Sequence, residues 1–155
     1  MNKVDVRAKL AELGLELPVA AKPVAAYVPA IRTGNIVFTA GQLPLVDGNM
    51  AGTGKVDGEI TPERAKELAQ ICALNCLAAV ETVADVNKIT KIVRVVGYVN
   101  GVPGYINAPV VVNGASELFL AIWGDGAKHA RSAVGIAELP LNSPVEIELT
   151  VEITD

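Results

Sequence analysis

Alternation of apolar and polar residues is clearest near the end of the chain. Over 145–153 the odd-numbered positions are all apolar, and the even-numbered ones are three Glu and one Thr. Because successive side chains of a strand point to opposite faces, this pattern predicts a strand with one buried face. Runs rich in β-branched residues predict further strands over 89–99 and 130–137. A fourth strand is predicted within 34–45, after a Gly-Asn turn.

Three segments carry apolar residues at helical spacing. The clearest is 61–85, where Thr61 suits the N-cap position and a proline follows it. The segment 107–126 contains three valines that would suit a strand, but Asn107 as N-cap and apolar residues four apart favour a helix. A short amphipathic helix is predicted over 4–15.

The order of these elements predicts an α+β fold. Strands, helix, strand, helix, strand and strand follow one another, which suits a mixed β-sheet with two helices packed on one face. We expect a single domain over 1–155, with 1–21 as an N-terminal extension that carries the short helix. Three prolines in 16–30 predict an extended connector or an irregular edge strand. The segment 46–60, rich in Gly and Asp, is predicted to be an exposed loop or hairpin.

The composition is unusually apolar for a chain of this size, with 51% hydrophobic residues, 19% charged residues and a mean hydropathy of +0.40. Such a chain either enters a membrane or hides apolar surface at subunit contacts. The longest uncharged run, 95–116, contains four glycines and two prolines, which does not suit a lipid-facing helix. Charged residues also interrupt the N-terminus, unlike a secretory signal. We therefore expect a soluble, cytoplasmic oligomer.

Charge and metal-ligating residues exclude two further classes. The formal net charge is −4 and the basic residues are scattered, which argues against a nucleic-acid partner. Cys72 and Cys76 lie four apart in a helical pattern and are expected to be small core residues. With His129 as the only histidine, the chain has too few soft ligands for a zinc-type site, so no metal is expected.

Arg131 and Glu146 are the first candidates for chemistry. Arg131 stands at the entrance to an apolar run, where a guanidinium is costly unless an anion meets it. That anion is either a carboxylate of the protein, such as Glu146 or Glu148, or the carboxylate of a bound ligand. Glu146 lies on the polar face of the last strand, so it is either a solvated residue or an acid–base group beside a ligand.

Four other residues are weaker candidates from the sequence alone. Tyr27 could be an aromatic plug against the sheet, and Asn113 could be a turn or cap residue. Gly41 ends a predicted strand, where backbone groups are available to a ligand. His129 follows a lysine and is expected to be exposed, without a Ser–His–Asp arrangement.

Three segments together resemble the YjgF family, also called RidA, the reactive intermediate deaminases. They read NIVFTAGQLPL, RSAVGIAELP and VEIEL, and the resemblance spans Lys22 to Asp155. It implies a chorismate-mutase-like fold and a homotrimer with ligand sites in the clefts between subunits. It also implies hydrolysis of enamines and imines derived from amino acids, which yields a 2-keto acid and ammonia without a cofactor.

The same resemblance assigns roles residue by residue. Arg131 matches the family arginine that grips the substrate carboxylate, and Glu146 matches the glutamate near the attacking water. Tyr27 matches the site tyrosine and Asn113 a site asparagine. Gly41 lies where a backbone group of the family meets the ligand.

The chain departs from the family pattern on both sides of the arginine. Ala133 stands where the family often has a cysteine, which removes a thiol but leaves the backbone groups. Lys128, His129 and Ala130 replace the usual Phe-Pro-Ala, which changes the rim of the cleft. Substrate preference is therefore expected to differ from that of the family pattern.

The hypothesis at this point is a 2-imino acid hydrolase that needs no metal or organic cofactor. The alternative is a binding protein that holds a 2-keto acid or a related small carboxylate without turnover. A third activity, RNA cleavage, is attached to some family members, and the acidic composition argues against it.

Overall fold

The computed structural model describes residues 1, 3–20 and 26–154. Part of the predicted connector, 21–25, lies outside the described residues. The elements run in the order α1 (Val6–Glu12), β1 (Ala30–Thr33), β2 (Ile36–Thr39), β3 (Leu45–Val46), β4 (Asn49–Met50), α2 (Pro62–Glu81), β5 (Ile89–Asn100), α3 (Ala108–Trp123), β6 (Ala130–Ile136) and β7 (Val145–Ile153).

One five-stranded sheet organises the fold, in the order β1-β2-β7-β5-β6. Its neighbouring strands are antiparallel except for β5 and β6, which are parallel. The predicted mixed α+β architecture is therefore confirmed. Strand β1 was not predicted, because only Ala30 of its four residues is buried and an edge strand of this kind has no apolar alternation. The strand predicted within 34–45 ends at Thr39 as β2, and β3 and β4 form a separate ribbon where the predicted loop or hairpin of 46–60 begins.

The two long helices form where their caps and spacing indicate. Thr61 caps α2 by accepting a hydrogen bond from the backbone N–H of Arg64, and Pro62 occupies the first turn. The helix preferred over a strand for 107–126 is confirmed as α3. Asn107 occupies the N-cap position of α3 without forming a side-chain capping bond.

Both helices cover the same face of the sheet. The apolar residues of β7 point toward them and are fully buried: Val145, Ile147, Leu149, Val151 and Ile153. Cys72 and Cys76 on α2 are buried against β7, with their Sγ atoms 3.7 and 3.3 Å from the carbonyl oxygens of Val145 and Ile147. Their predicted role as small core residues is thus confirmed, and burial raises the pKa of both thiols.

The N-terminal helix α1 contributes to the same core. Val6 and Leu10 are fully buried, and Asp5 caps the helix by accepting from the backbone N–H of Ala8. The backbone N–H of Val6 also donates to Asn87 Oδ1. Of the helices in the described residues, none combines the length and apolarity that crossing a bilayer requires.

The opposite face of the sheet carries exposed apolar side chains. Ile31 on β1 and Phe38 on β2 are paired across their strands and are 60% and 45% exposed. Val134 on β6 is 44% exposed on the same side. We call this side, with Ile31, Phe38 and Val134, the open face.

Candidate functional site

Arg131 and Asn113, two of the predicted site residues, are in direct contact. Arg131 Nη1 donates to Asn113 Oδ1 at 2.7 Å and to Ser116 Oγ at 3.2 Å. Asn113 and Ser116 lie three residues apart on α3, so both face β6. Among the described residues, Nε and Nη2 of Arg131 form no hydrogen bond. The guanidinium is exposed, and its remaining donors form a fork that suits a carboxylate.

The structure separates Arg131 from the carboxylates proposed as its partners. Arg131 lies opposite Val95 of β5, which is buried under the helices. Glu146 lies opposite Tyr98, one face away, because side chains alternate along a strand. An ion pair of Arg131 with Glu146 or Glu148 within one chain is therefore the wrong interpretation. The arginine is at the helix-side edge of the sheet, and both glutamates are on the open face.

Glu146 and Gly41 form the second group of predicted site residues. Phe38 pairs with Thr150, whereas Gln42 pairs with Ile147, so β2 carries one extra residue between these two points. This bulge brings the Gly41 backbone over the Glu146 side chain. A Cβ placed at Gly41 would overlap the Glu146 carboxylate. The absence of a side chain at this position therefore makes room for the carboxylate.

The surroundings of Glu146 favour its protonated form. Burial raises the pKa of Glu146, and the neighbouring Glu148 carboxylate adds to this effect. Burial also raises the pKa of Tyr98, with the charge of Glu148 and a hydrogen bond to it as further causes. A half-buried carboxyl group with a raised pKa holds a proton to higher pH than a solvated one, which suits a group that accepts and then donates a proton.

Tyr27 stands two residues before Pro29, whose carbonyl oxygen accepts a hydrogen bond from the backbone N–H of Ala40, the neighbour of Gly41. It occupies a bend shortly before β1, and its side chain is 52% exposed. It is therefore not an aromatic plug against the sheet. Its exposed phenol is available to a molecule that approaches from outside.

Ser116 and His129 are two polar neighbours of Arg131 that the sequence analysis did not assign to the site. His129 was expected to be exposed, but it is half-buried, with Nε2 3.0 Å from Ser116 Oγ and Nδ1 2.7 Å from the carbonyl oxygen of Ala127. The neighbouring Lys128 indicates a solvated segment, but the His129 ring turns back onto α3, so the predicted exposure is wrong. Two spacings could have indicated these residues: His129 lies two before Arg131, just ahead of strand β6, and Ser116 lies three after Asn113 on one helix.

A metal centre has no basis in the described residues. No group of three or more His, Cys, Asp or Glu side chains there could hold an ion. The two groups that the fold does assemble are a guanidinium fork with an amide, and a half-buried carboxylate beside a glycine.

A protein family model matches most of this chain. The family model described as "YjgF/chorismate mutase-like, putative endoribonuclease" matches residues 7–153, which include most of α1. The resemblance noted from the three motifs is thereby confirmed, and it extends further toward the N-terminus than Lys22. Because that description names a ribonuclease, the acidic composition of this chain does not by itself exclude a nucleic-acid substrate.

Individual relatives cover almost the whole chain. Protein TCP17 of Trypanosoma cruzi is 34% identical over 152 residues, which are 97% of this chain and 95% of that protein. A 2-iminobutanoate/2-iminopropanoate deaminase of Dermatophagoides farinae is 32% identical over 90% of this chain and 94% of that protein. Among solved structures, Atu1372 of Agrobacterium tumefaciens, described as of unknown function, has a TM-score of 0.89 and 40% identity, covering 96% of this chain and 92% of that one.

Proposed function

Because the chain belongs to the YjgF/chorismate mutase-like family, we propose that it hydrolyses small 2-imino acids to 2-keto acids and ammonia. The observation that carries the proposal is the open guanidinium fork of Arg131 beside Asn113. A 2-imino acid has a carboxylate next to its electrophilic carbon, so holding the carboxylate also orients that carbon. The deaminase from Dermatophagoides farinae, at 32% identity, supports the same substrate class.

Arg131 would bind the substrate carboxylate through Nε and Nη2 while Nη1 remains bonded to Asn113 and Ser116. A bidentate pair of this kind restricts both the position and the plane of the ligand. Asn113 would therefore act by holding the guanidinium in the plane that the carboxylate requires. This assignment leaves the C=N carbon of the substrate pointing away from α3.

Glu146 would act as the general base and then the general acid. It would accept a proton from water as the water oxygen adds to the imine carbon, and the imine nitrogen would take up a proton to give a carbinolamine. Loss of ammonia from the carbinolamine, with the hydroxyl proton removed, leaves the 2-keto acid. The raised pKa of Glu146 suits both transfers. The exposed phenol of Tyr27 would donate a hydrogen bond to the bound substrate.

Two copies of the chain would build each site together. Arg131 and Glu146 lie on different sides of the sheet, so one chain does not present both to a small ligand. The open face, with Phe38 and Ile31 exposed, has the apolar character of a subunit contact. We propose a homotrimer in which the open faces meet and the Arg131 edge of one copy approaches the Glu146 side of the next.

The test is competition for a freshly made imine. An amino-acid oxidase generates 2-imino acids from several amino acids, and semicarbazide traps whatever is not hydrolysed. We expect the wild type to reduce trapping, and Arg131→Ala and Glu146→Gln to lose this effect. Arg64→Ala and Glu67→Gln are matched controls, because they change an exposed ion pair on α2 that is remote from both groups.

Three results would contradict the proposal. Hydrolysis at the wild-type rate by Arg131→Ala would show that the fork does not hold the substrate. Binding of 2-keto acids in calorimetry, without turnover of any imine, would indicate a small-carboxylate binding protein instead. Salt-sensitive cleavage of RNA that the two variants also lose would assign the site to a ribonuclease.

A further inference from the structure

A chain of hydrogen bonds leads from the candidate site into the protein behind it. Ser116 Oγ lies between Arg131 Nη1, at 3.2 Å, and His129 Nε2, at 3.0 Å. His129 Nδ1 lies 2.7 Å from the carbonyl oxygen of Ala127. The four groups therefore form a continuous line from the exposed guanidinium to the backbone.

The two ends of this line determine the direction of the two outer bonds, and the protonation of the His129 ring determines that of the bond between them. A carbonyl oxygen only accepts, so His129 Nδ1 carries the hydrogen and donates it to Ala127. A guanidinium only donates, so Ser116 Oγ accepts from Arg131. In a neutral ring with its hydrogen on Nδ1, Nε2 is an acceptor, and the hydroxyl hydrogen of Ser116 points to it. Each donor has an acceptor only while the ring is neutral and in the Nδ1–H form.

The packing around His129 favours that neutral form. The ring meets Phe119 edge-on, with centroids 6.1 Å apart. Burial lowers the pKa of His129; the hydrogen bond to Ala127 opposes this shift, and the charge of Arg131 adds to it. A second proton would place two cations on one hydroxyl and leave the Ser116 hydrogen without its acceptor.

Other charged groups on the surrounding elements are occupied elsewhere. Lys128 pairs with Asp125 in the turn before β6, and Glu117 on α3 pairs with Lys66 on α2. The N-terminal ammonium of Met1 donates to the carbonyl of Thr90. Within the described chain, Arg131 is therefore the charged group that is linked to the His129 ring by hydrogen bonds, through Ser116.

We propose that His129 is a positioning residue for Arg131, acting through Ser116. Asn113 and Ser116 hold the same nitrogen, Nη1, from two sides, and this leaves the other edge of the guanidinium facing outward. His129 determines which way the Ser116 hydroxyl points and so keeps its lone pairs turned to Arg131. The proposal rests on the proposed function only for the identity of the ligand that Arg131 binds, a small carboxylate.

The first measurement uses the untagged protein without ligand. His129 is the only histidine of the chain, so nitrogen NMR of the imidazole reports one ring without assignment. We expect the Nδ1–H tautomer, although free histidine prefers Nε2–H. In Arg131→Ala the pKa of the ring should rise, because a neighbouring cation is removed. An Nε2–H ring, or a ring pKa indifferent to Arg131→Ala, would overturn the proposal.

The second measurement is calorimetric binding of 2-oxobutanoate, a 2-keto acid that has the carboxylate of the proposed products. Loss of one hydrogen bond in the line should weaken binding roughly two- to tenfold in Ser116→Ala and His129→Leu. The double variant should bind about as weakly as either single one, because both act through the same bond. His129→Gln, which retains an acceptor toward Ser116, should bind nearly as the wild type does.

The outcomes separate this proposal from the proposed function. If the wild type hydrolyses imines and binds 2-oxobutanoate, and His129→Leu, folded by its thermal transition, binds equally well, the positioning role is wrong and the function stands. If the wild type binds no 2-keto acid and hydrolyses no imine, the function is wrong. The positioning role is then decided by the tautomer and by the Arg131 Nε–H signal, which His129→Leu should shift and His129→Gln should leave in place.

Discussion

The Gly41→Ala variant tests whether the position of the Glu146 carboxylate, and not only its presence, supports hydrolysis. A Cβ at Gly41 would overlap one carboxylate oxygen and lie 2.7 Å from the carboxyl carbon and 3.1 Å from Cγ of Glu146. Carbon atoms in contact are normally about 3.5–4.0 Å apart, so the carboxyl group must move by about 1 Å. Gly41 has no positive φ, so alanine does not strain the backbone.

The expected effect is large on the rate and small on stability. A displacement of about 1 Å in a catalytic group costs roughly 100-fold in rate, and we expect kcat/KM for imine hydrolysis to fall by about this factor. The Glu146 side chain is only half-buried, so the free energy of unfolding should change by less than about 1 kcal/mol.

The assay is semicarbazide competition combined with thermal denaturation. Gly135→Ala is the matched control, because a Cβ at Gly135 has no neighbour closer than 3.9 Å and should leave both readouts unchanged. In a Glu146→Gln background, Gly41→Ala should cost little more, since the group it displaces is already inactive. Wild-type activity in Gly41→Ala would refute the reasoning. A full additional loss in the Glu146→Gln background would show that the new methyl group blocks the ligand instead.

Three other variants test the pKa, the core and the open face. Glu146→Gln should be more stable than the wild type at pH 7. Burial and Glu148 raise the folded-state pKa of Glu146. At pH values between the unfolded and folded pKa, the native wild type therefore binds more protons than the unfolded chain and loses stability as pH rises. Urea denaturation should show the stability difference between the variant and the wild type disappearing below pH 4.5, the ordinary pKa of the group. Gly114→Ala should lower the free energy of unfolding by roughly 1–3 kcal/mol in the same assay, because a Cβ there would overlap the Lys66 backbone carbonyl; an unchanged value would show that α2 and α3 separate freely. Phe38→Asp should reduce the sedimentation mass of the assembly, and an unchanged mass would contradict the proposed contact through the open face.

Local patterns in the sequence predicted most of the secondary structure. The strict alternation over Val145–Ile153 and the cap at Thr61 define β7 and α2, because period and capping are properties of neighbouring residues. Strand β1 was not predictable from its own composition, because its pairing with β2 makes it a strand. An edge strand that is mostly exposed has little apolar signature.

The candidate site was only partly accessible from the sequence. Residue chemistry identified Arg131 and Glu146 as candidates, since a guanidinium and a carboxylate have distinctive chemistry, and the resemblance to the YjgF family gave Tyr27, Asn113 and Gly41 their site roles. They did not reveal the environment of His129, because a charged neighbour in sequence says little about how a ring packs onto a helix. Burial of a side chain depends on residues distant along the chain.

The sequence by itself therefore determined the long helices, the strands with an apolar face and the chemical groups available, because these depend on contacts within a few residues. Only the tertiary structure decided that Arg131 meets Asn113 and Ser116 while Glu146 meets Gly41 on the other side of the sheet. The physical reason is register: a pairing shift of one residue would exchange the two faces of a strand. Register is set by strands that lie more than a hundred residues apart along the chain, as in the pairing of β2 with β7.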